Sequence, residues 1–443
     1  MGRRNRHRTS PLMQGLRTFL AGRAPGQLVI QYSDACNARC PQCELRATNR
    51  FRRSQIPTDE MKRMIDAAVR NGVQALSFTG GEPFLHTDEL IELVHYAGEA
   101  GIPYIRTGTN AFFLRNADEA GWEARVRGLA EALAATRLYT LWISIDSCDA
   151  AVHEEMRGLD GVVRGIERAL PIFHECGIYP AANLGINRNT PGRWEACTPD
   201  GQCDPEALYE LFRTGFARFY RFVTGLGFTM ANTCYPMSVE AAAEPDLVSV
   251  YGASSVDPVV SFTGQEKAAV FRALLDTIPL FRPELRIFSP LCSVYALARH
   301  YGDGVTTGYP CRGGAEFFFV DAKSAHTFPC GFRGSEDLGP YGEALVPPRG
   351  PAPACRACDW ECFRDPSDLL GPFLELRHNP FALGKRLLAD PAFGRLWCSD
   401  VRYARACGFF SGRQAPDTGA LRRFRGKEGR HPLDAYQPVP GAR

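Results

Sequence analysis

Short runs of alternating apolar and polar residues recur along the first half of the chain. Each is followed by a stretch whose apolar positions fall three or four residues apart. QLVIQYS, residues 27–33, alternates as a strand does. A helical pattern begins after Thr58, which stands where an N-cap belongs. Met61, Met64, Ile65, Ala68 and Val69 share its inner face, and Gly72 ends it. VQALSF (73–78) is the next strand. Thr87 then opens a helix with Leu90, Ile91, Val94 and Ala97 inward, closed by Gly101. IPYIRTGT (102–109) reads as a strand, residues 118–136 as a helix and LYTLWISID (138–146) as a strand. A helix over 160–176 and strands near 178–186 and 226–233 complete the series. Strands alternating with helices of ten residues or more imply βαβ units and a parallel sheet. Six units make an incomplete (β/α)6 barrel, since eight are needed to close one of the triosephosphate isomerase (TIM) kind. The predicted fold class is therefore α/β, a partial TIM-like barrel.

The remainder divides by composition. Residues 1–26 read as a basic, flexible lead and 27–245 as the barrel. Residues 246–310 form an irregular connection with helical stretches near 264–280 and 290–301. Residues 311–370 are rich in Cys, Gly and Pro, and EFFFVDA followed by SAHTFPC reads as a hairpin ending on Cys330. A helical segment over 371–411 precedes a tail, 412–443, whose Arg, Gly and Pro content predicts disorder.

Charge and composition narrow the function. The chain has 51 basic against 49 acidic residues, a net charge of +2, which argues against a dedicated nucleic-acid or membrane-surface binder. Apolar residues at 45% and charged residues at 23% are those of a soluble globular protein. Arg3, Arg4, Arg6 and Arg8 open the chain, but Gln14, Arg17 and Arg23 interrupt the apolar stretch after them, so neither a signal peptide nor a membrane anchor is expected. The expected location is the cytoplasm. There, clustered cysteines among the 16 are better read as metal ligands or reactive groups than as disulfides, and the eight scattered ones as small buried apolar residues. Of the clustered ones, three lie near the N-terminus, and five more lie between Cys311 and Cys362.

Cys36, Cys40 and Cys43 form Cys-x3-Cys-x2-Cys directly after the first strand. Three thiolates in one loop cap three irons of a cubane and leave the fourth iron open. Zinc fits the residue type too, but a structural zinc wants four protein ligands, and a catalytic one wants a His or carboxylate that this loop lacks. Thr79-Gly80-Gly81-Glu82-Pro83 follows the second strand as a tight turn that lets the backbone approach a ligand. The pair of motifs resembles the signature of the radical S-adenosylmethionine (radical SAM) superfamily. That resemblance implies a 4Fe–4S cluster on Cys36, Cys40 and Cys43, whose open iron chelates S-adenosylmethionine. Reductive cleavage then gives a 5′-deoxyadenosyl radical. It implies that Gly80, Gly81 and Glu82 hold the cofactor's amino group. One departure is Gln42, at a position commonly aromatic and near the adenine. Thr109-Asn110 ends the third strand as in many relatives. Ser144, Asp146, Arg157 and Gly158 resemble the S-x-D … H-x-x-x-R-G pattern of the subfamily with an extra cluster domain, implying that Ser144 and Arg157 reach the methionyl carboxylate. Asn183 and Asn187 are candidates for ribose contact.

Cys311, Cys330, Cys355, Cys358 and Cys362 resemble the SPASM or shortened twitch extension of that superfamily. Four thiolates complete an auxiliary 4Fe–4S cluster, or a zinc site, with one thiol spare, and the spacing leaves open whether Cys355 or Cys362 is the spare. An auxiliary cluster without an open iron is expected to transfer electrons or to act as a staple. The implied partners are a low-potential donor of the flavodoxin or ferredoxin type and a substrate, either a peptide or protein or a small metabolite. The contrasting expectation is a metal-stapled binding protein without turnover. No general base stands out, although Asp303, Asp321 and Asp359 lie in the right region.

Overall fold

The computed structural model describes residues 18–46, 53–195, 203–236, 247–252, 254–342 and 353–425. The rest of the basic lead, the 245/246 boundary and the last 18 residues of the tail lie outside them. The barrel half runs β1 (Gly26–Ser33), α1 (Thr58–Arg70), β2 (Val73–Gly80), α2 (Thr87–Ala100), β3 (Tyr104–Thr109), α3 (Trp122–Ala134), β4 (Leu138–Ser144), α4 (Ala150–Arg157), α5 (Val162–Glu175), β5 (Ala181–Gly185), α6 (Pro205–Leu226) and β6 (Met230–Cys234). The next elements are α7 (Gly264–Phe281), β7 (Arg286–Ile287), α8 (Leu291–Asp303), β8 (Phe317–Val320) and β9 (Thr327–Phe328). The chain closes with α9 (Glu361–His378), α10 (Pro380–Ala389), α11 (Pro391–Ala406) and α12 (Thr418–Leu421).

One nine-stranded sheet has the order β7-β6-β5-β4-β3-β2-β1-β8-β9. The first seven strands are mutually parallel, β8 joins β1 in parallel, and only β9 runs antiparallel. It is a partial barrel with free edges at β7 and β9. Side-chain alternation sorts each strand onto two faces. Leu28, Ile30, Leu76, Phe78, Ile105, Leu141, Ile143 and Leu184 belong to the main apolar core. Their neighbours Gln27, Ser77, Arg106, Trp142, Ser144, Asn183, Asn232 and Cys234 line a central cavity. The polar positions of the strands thus turn to the lumen, beside apolar ones such as Val29 and Trp142, while the outer face is apolar, so the strands alternate in part instead of reading as continuous apolar runs.

Gly101 ends α2 at φ 109°, a left-handed position that favours glycine. Thr58, expected as the N-cap of α1, is instead its first residue. Pro57 precedes it and no side-chain cap forms. The pattern missed α6 altogether, a 22-residue helix between β5 and β6. The hairpin expected before Cys330 is β8–β9, with Phe319 opposite Phe328. Among the described residues no helix is long and apolar enough to cross a membrane.

Residues 412–425, the described part of the tail, depart from the predicted disorder. The Gly412 N–H donates to Tyr139 O and its carbonyl accepts from Tyr179 N–H, so the chain crosses the starts of β4 and β5. Leu421 is fully buried. Arg413 Nη2 donates to Ala134 O at the end of α3 (2.8 Å). Arginines that read as disorder in composition here cap a helix C-terminus, where cations are favoured.

A buried ion pair joins α11 to the barrel. Arg282 Nη2 lies 2.6 Å from Asp400 Oδ1, with both side chains 3% exposed. The Cys292 N–H donates to Asp400 Oδ2. Arg282→Met is expected to cost about 3–5 kcal/mol in chemical denaturation, because it strands a buried carboxylate.

Candidate active site

The Cys36–Cys43 loop is held by the turn beneath it. Gly81 N–H donates to Ser33 O (2.8 Å) and Glu82 N–H to Ala35 O (2.7 Å). A Cβ on Gly80 would stand 2.0 Å from Ser33 O, and one on Gly81 2.0 Å from Ala35 O. Two glycines are therefore required for the β1 loop and the β2 turn to meet. Glu82, 1% exposed, points inward. Its Oε1 accepts from Thr109 Oγ1 (2.7 Å) and Phe84 N–H (3.0 Å), and its Oε2 from Asn110 N–H (2.6 Å). Burial lifts this carboxyl from 4.5 to about 7 against those three donors. Asn110 Nδ2 in turn donates to Asn37 Oδ1, inside the cysteine loop (2.8 Å). Glu82 thus ties three strand ends together.

Cys36, Cys40 and Cys43 all face one cavity of about 440 Å³, which Gly80, Gly81, Ser144, Arg157 and Asn183 also line. Burial pushes the Cys40 thiol up to about 11 and raises Cys36 and Cys43 as well, so ionised sulfur is favoured there only beside a cation. Among the described residues no three His, Cys, Asp or Glu side chains converge on a point that could hold a single metal ion.

Arg157, expected to clamp a cofactor carboxylate, faces the protein's own Asp146. Its Nε and Nη2 donate to the two carboxylate oxygens (2.7 and 3.0 Å), leaving Nη1 without a partner among the described residues. Gln42 Nε2 donates to the same carboxylate (2.9 Å), and Asn187 Nδ2 donates to Asp146 O. Burial opposes ionised Asp146, but Arg157, then His153 and Gln42, hold its carboxyl below the ordinary range. Gln42 Oε1 remains buried without a partner. Ser144 presents its hydroxyl to the cavity. Asn183 Oδ1 accepts from Asn232 Nδ2 (2.8 Å). Asn187, fully buried, is spent on backbone groups, so a polar strand end accounts for it without a ligand.

The second cysteine group divides. Cys311, Cys330, Cys355 and Cys358 line a separate small cavity with Gly313, Arg333, Trp360 and Phe363. Cys311 and Cys355 bridge backbone to backbone. The N–H groups of Gly313 and Phe332 donate to the sulfurs of Cys311 and Cys330. Cys362 stands apart on the central cavity, its Sγ against Glu361 Oε1 (3.5 Å). Sequence spacing could not separate these roles. α9 starts at Glu361, and its first turn swings Cys362 away from Cys355 and Cys358.

Of the acids named from sequence, Asp303 pairs with Arg299, Asp321 caps the hairpin turn and Asp359 pairs with Lys267. None lines the cavity. Glu361 and Asp365 do. Burial lifts Glu361 to about 7 and raises Asp365, which accepts from Tyr235 OH (3.0 Å). No motif pointed to them.

Residues 30–187 match the Radical SAM superfamily. Among similar curated proteins, the AdoMet-dependent heme synthase of Nitratidesulfovibrio vulgaris is 26% identical over 40% of this chain and 46% of its own length. The probable GTP 3′,8-cyclase of Thermococcus kodakarensis is 27% identical over 38% of this chain and 50% of its own. The match thus spans about half the length of these relatives or less. Of solved structures, Streptococcus suis SuiB bound to the precursor peptide SuiA is 17% identical, covering 69% of this chain and 59% of that one at a TM-score of 0.44. That likeness is too distant to bear on function.

Gly81→Ala is expected to lower the iron retained after anaerobic reconstitution. Gly128→Ala, whose Cβ meets nothing within 4 Å, leaves it unchanged. Glu82→Gln sets an amide against donors and should cost about 1–3 kcal/mol. It also removes a pH slope. With its folded pKa raised, Glu82 contributes stability in full below pH 4.5, and the contribution is lost as pH rises through about 7. Denaturation midpoints from pH 4 to 8 check this.

Proposed function

Since residues 30–187 form a Radical SAM superfamily domain, we propose that this protein is a radical SAM enzyme whose first cluster sits on Cys36, Cys40 and Cys43. The observation that carries the reading is the convergence of those three thiols with Gly80, Gly81, Ser144 and Arg157 on one cavity. When bound, the 4Fe–4S cluster and S-adenosylmethionine supply one-electron cleavage to methionine and a 5′-deoxyadenosyl radical, which abstracts hydrogen from the substrate.

The remaining work falls to the chain. Gly80 and Gly81 bring backbone close to the cofactor's amino group, while Glu82 fixes that turn from behind. Ser144 Oγ and Arg157 Nη1, both without partners among the described residues, take the methionyl carboxylate. Asn183 offers its amide to the ribose. Gln42 Oε1, a buried acceptor with no partner, takes a donor from the adenine side in place of the aromatic packing common at this position.

Cys311, Cys330, Cys355 and Cys358 hold an auxiliary 4Fe–4S cluster, and Cys362 is the spare thiol. These four thiolates would cap every iron of such a cluster, and the chemistry it would supply there is electron transfer, from a substrate radical or to the first cluster. The primary electron donor is of the flavodoxin or ferredoxin class. The substrate is a peptide or a small metabolite, and the matched relatives include both kinds by name, among them a PqqA peptide cyclase. A metal-stapled binding protein without turnover is disfavoured by a cavity of enzyme-site size, about 440 Å³, joined to the cysteine loop.

Anaerobic reconstitution and subsequent reduction with dithionite test the reading by release of 5′-deoxyadenosine. Cys40→Ala should abolish release. Cys358→Ala should keep it but lose about half the bound iron, as four thiolates per cubane require. Cys362→Ala should keep both. No release from a protein with its iron intact leaves the binding-protein reading standing. Iron loss in Cys362→Ala, with none in Cys355→Ala, reverses the choice of spare.

A further inference from the structure

Two arginines line the central cavity, and only one is neutralised. Arg157 is paired with Asp146. Arg106, on the inner face of β3, makes no hydrogen bond or ion pair with any described residue, and its Nε is buried without a partner. Its guanidinium lies over the Trp142 ring at 5.5 Å, and Trp142 Nε1 is also buried without an acceptor. Among the described residues, the one ionisable group that acts on Arg106 is the thiol of Cys362, which burial keeps protonated. A guanidinium removed from water with no counter-ion is costly to a fold. Arg106 lines both the central cavity and a second cavity of about 220 Å³ that adjoins it, walled by Phe288, Phe317 and Phe409. It stands four residues before Asn110, so about 13 Å down the strand from the cysteine loop at the usual rise.

We propose that Arg106, stacked on Trp142, is the binding site for an anionic group, carboxylate or phosphate, of this protein's substrate. A planar fork of donors on an aromatic floor suits either oxyanion. The anion anchors one end of the substrate, and the part to be attacked extends up the lumen past Cys234 and Cys362 toward Cys36. This rests on the reading that the cavity is the substrate site, but its test needs no radical chemistry.

Thermal unfolding of the anaerobically reconstituted full-length protein is measured with benzoate, phenyl phosphate or uncharged benzyl alcohol at matched ionic strength. Either anion should raise the wild-type Tm, and benzyl alcohol should not. Arg106→Met should weaken the anion's apparent affinity at least about tenfold, while Arg106→Lys restores part of it. Without added anion, Arg106→Met should raise Tm by about 2 °C or more, since it removes an uncompensated charge. A shift with benzoate alone identifies the site as a carboxylate site, and one with phenyl phosphate alone as a phosphate site. No anion-specific shift, an equal shift in Arg106→Met, or a Tm lowered by Arg106→Met without anion overturns the proposal. 5′-Deoxyadenosine release measured on the same samples shows independently whether the radical SAM reading holds.

Discussion

Everything at the cysteine end of the barrel depends on backbone meeting backbone where β1 and β2 end. The loop that carries Cys36 lies against Gly80 and Gly81 at a distance that no side chain permits. Once that contact forms, the amides of Gly81 and Glu82 have acceptors in the loop, and the Glu82 carboxylate turns inward to collect donors from the end of β3. A buried carboxyl with three donors rigidifies what it joins, and leaving any donor unpaired would cost far more than the bond gains. The loop that carries the sulfurs is therefore positioned by hydrogen bonds within the protein itself.

A second knot, Gln42–Asp146–Arg157, ties the same loop to the end of β4 and to α4. Arg39 N–H also donates to Arg157 O. The arginine that from its motif alone belonged to a cofactor is mostly engaged in holding the loop, and the glutamine that departs from the usual aromatic is what completes the knot. These are two sides of one exchange. Gln42 supplies a donor to Asp146, and a phenyl ring could not.

The sequence carried the barrel well, because short strands with polar residues toward the lumen alternate with amphipathic helices along the chain. It also located the cysteine loop, the glycine turn and the five cysteines of the second group. It did not reveal which face of β3 was the lumen, so Arg106 in IPYIRTGT read as one polar position among several. Cys355 and Cys362 were indistinguishable, since their roles depend on where α9 begins, and Glu361 opens that helix without a capping signal. Glu361 and Asp365 were hidden for the same reason: helix phase decides which residues of the first turns enter the cavity. The ordered contacts of residues 412–425 were hidden because composition cannot say that an arginine has a helix end to cap.

The five residues from Cys358 to Cys362 belong to two chambers at once. Cys358 faces the small cysteine-lined cavity, Glu361 and Cys362 face the central one, and Trp360 forms part of the wall of both. The two chambers therefore share one hinge point: a substitution that shifts the start of α9 at the small cavity also moves the acid and the thiol presented to the lumen.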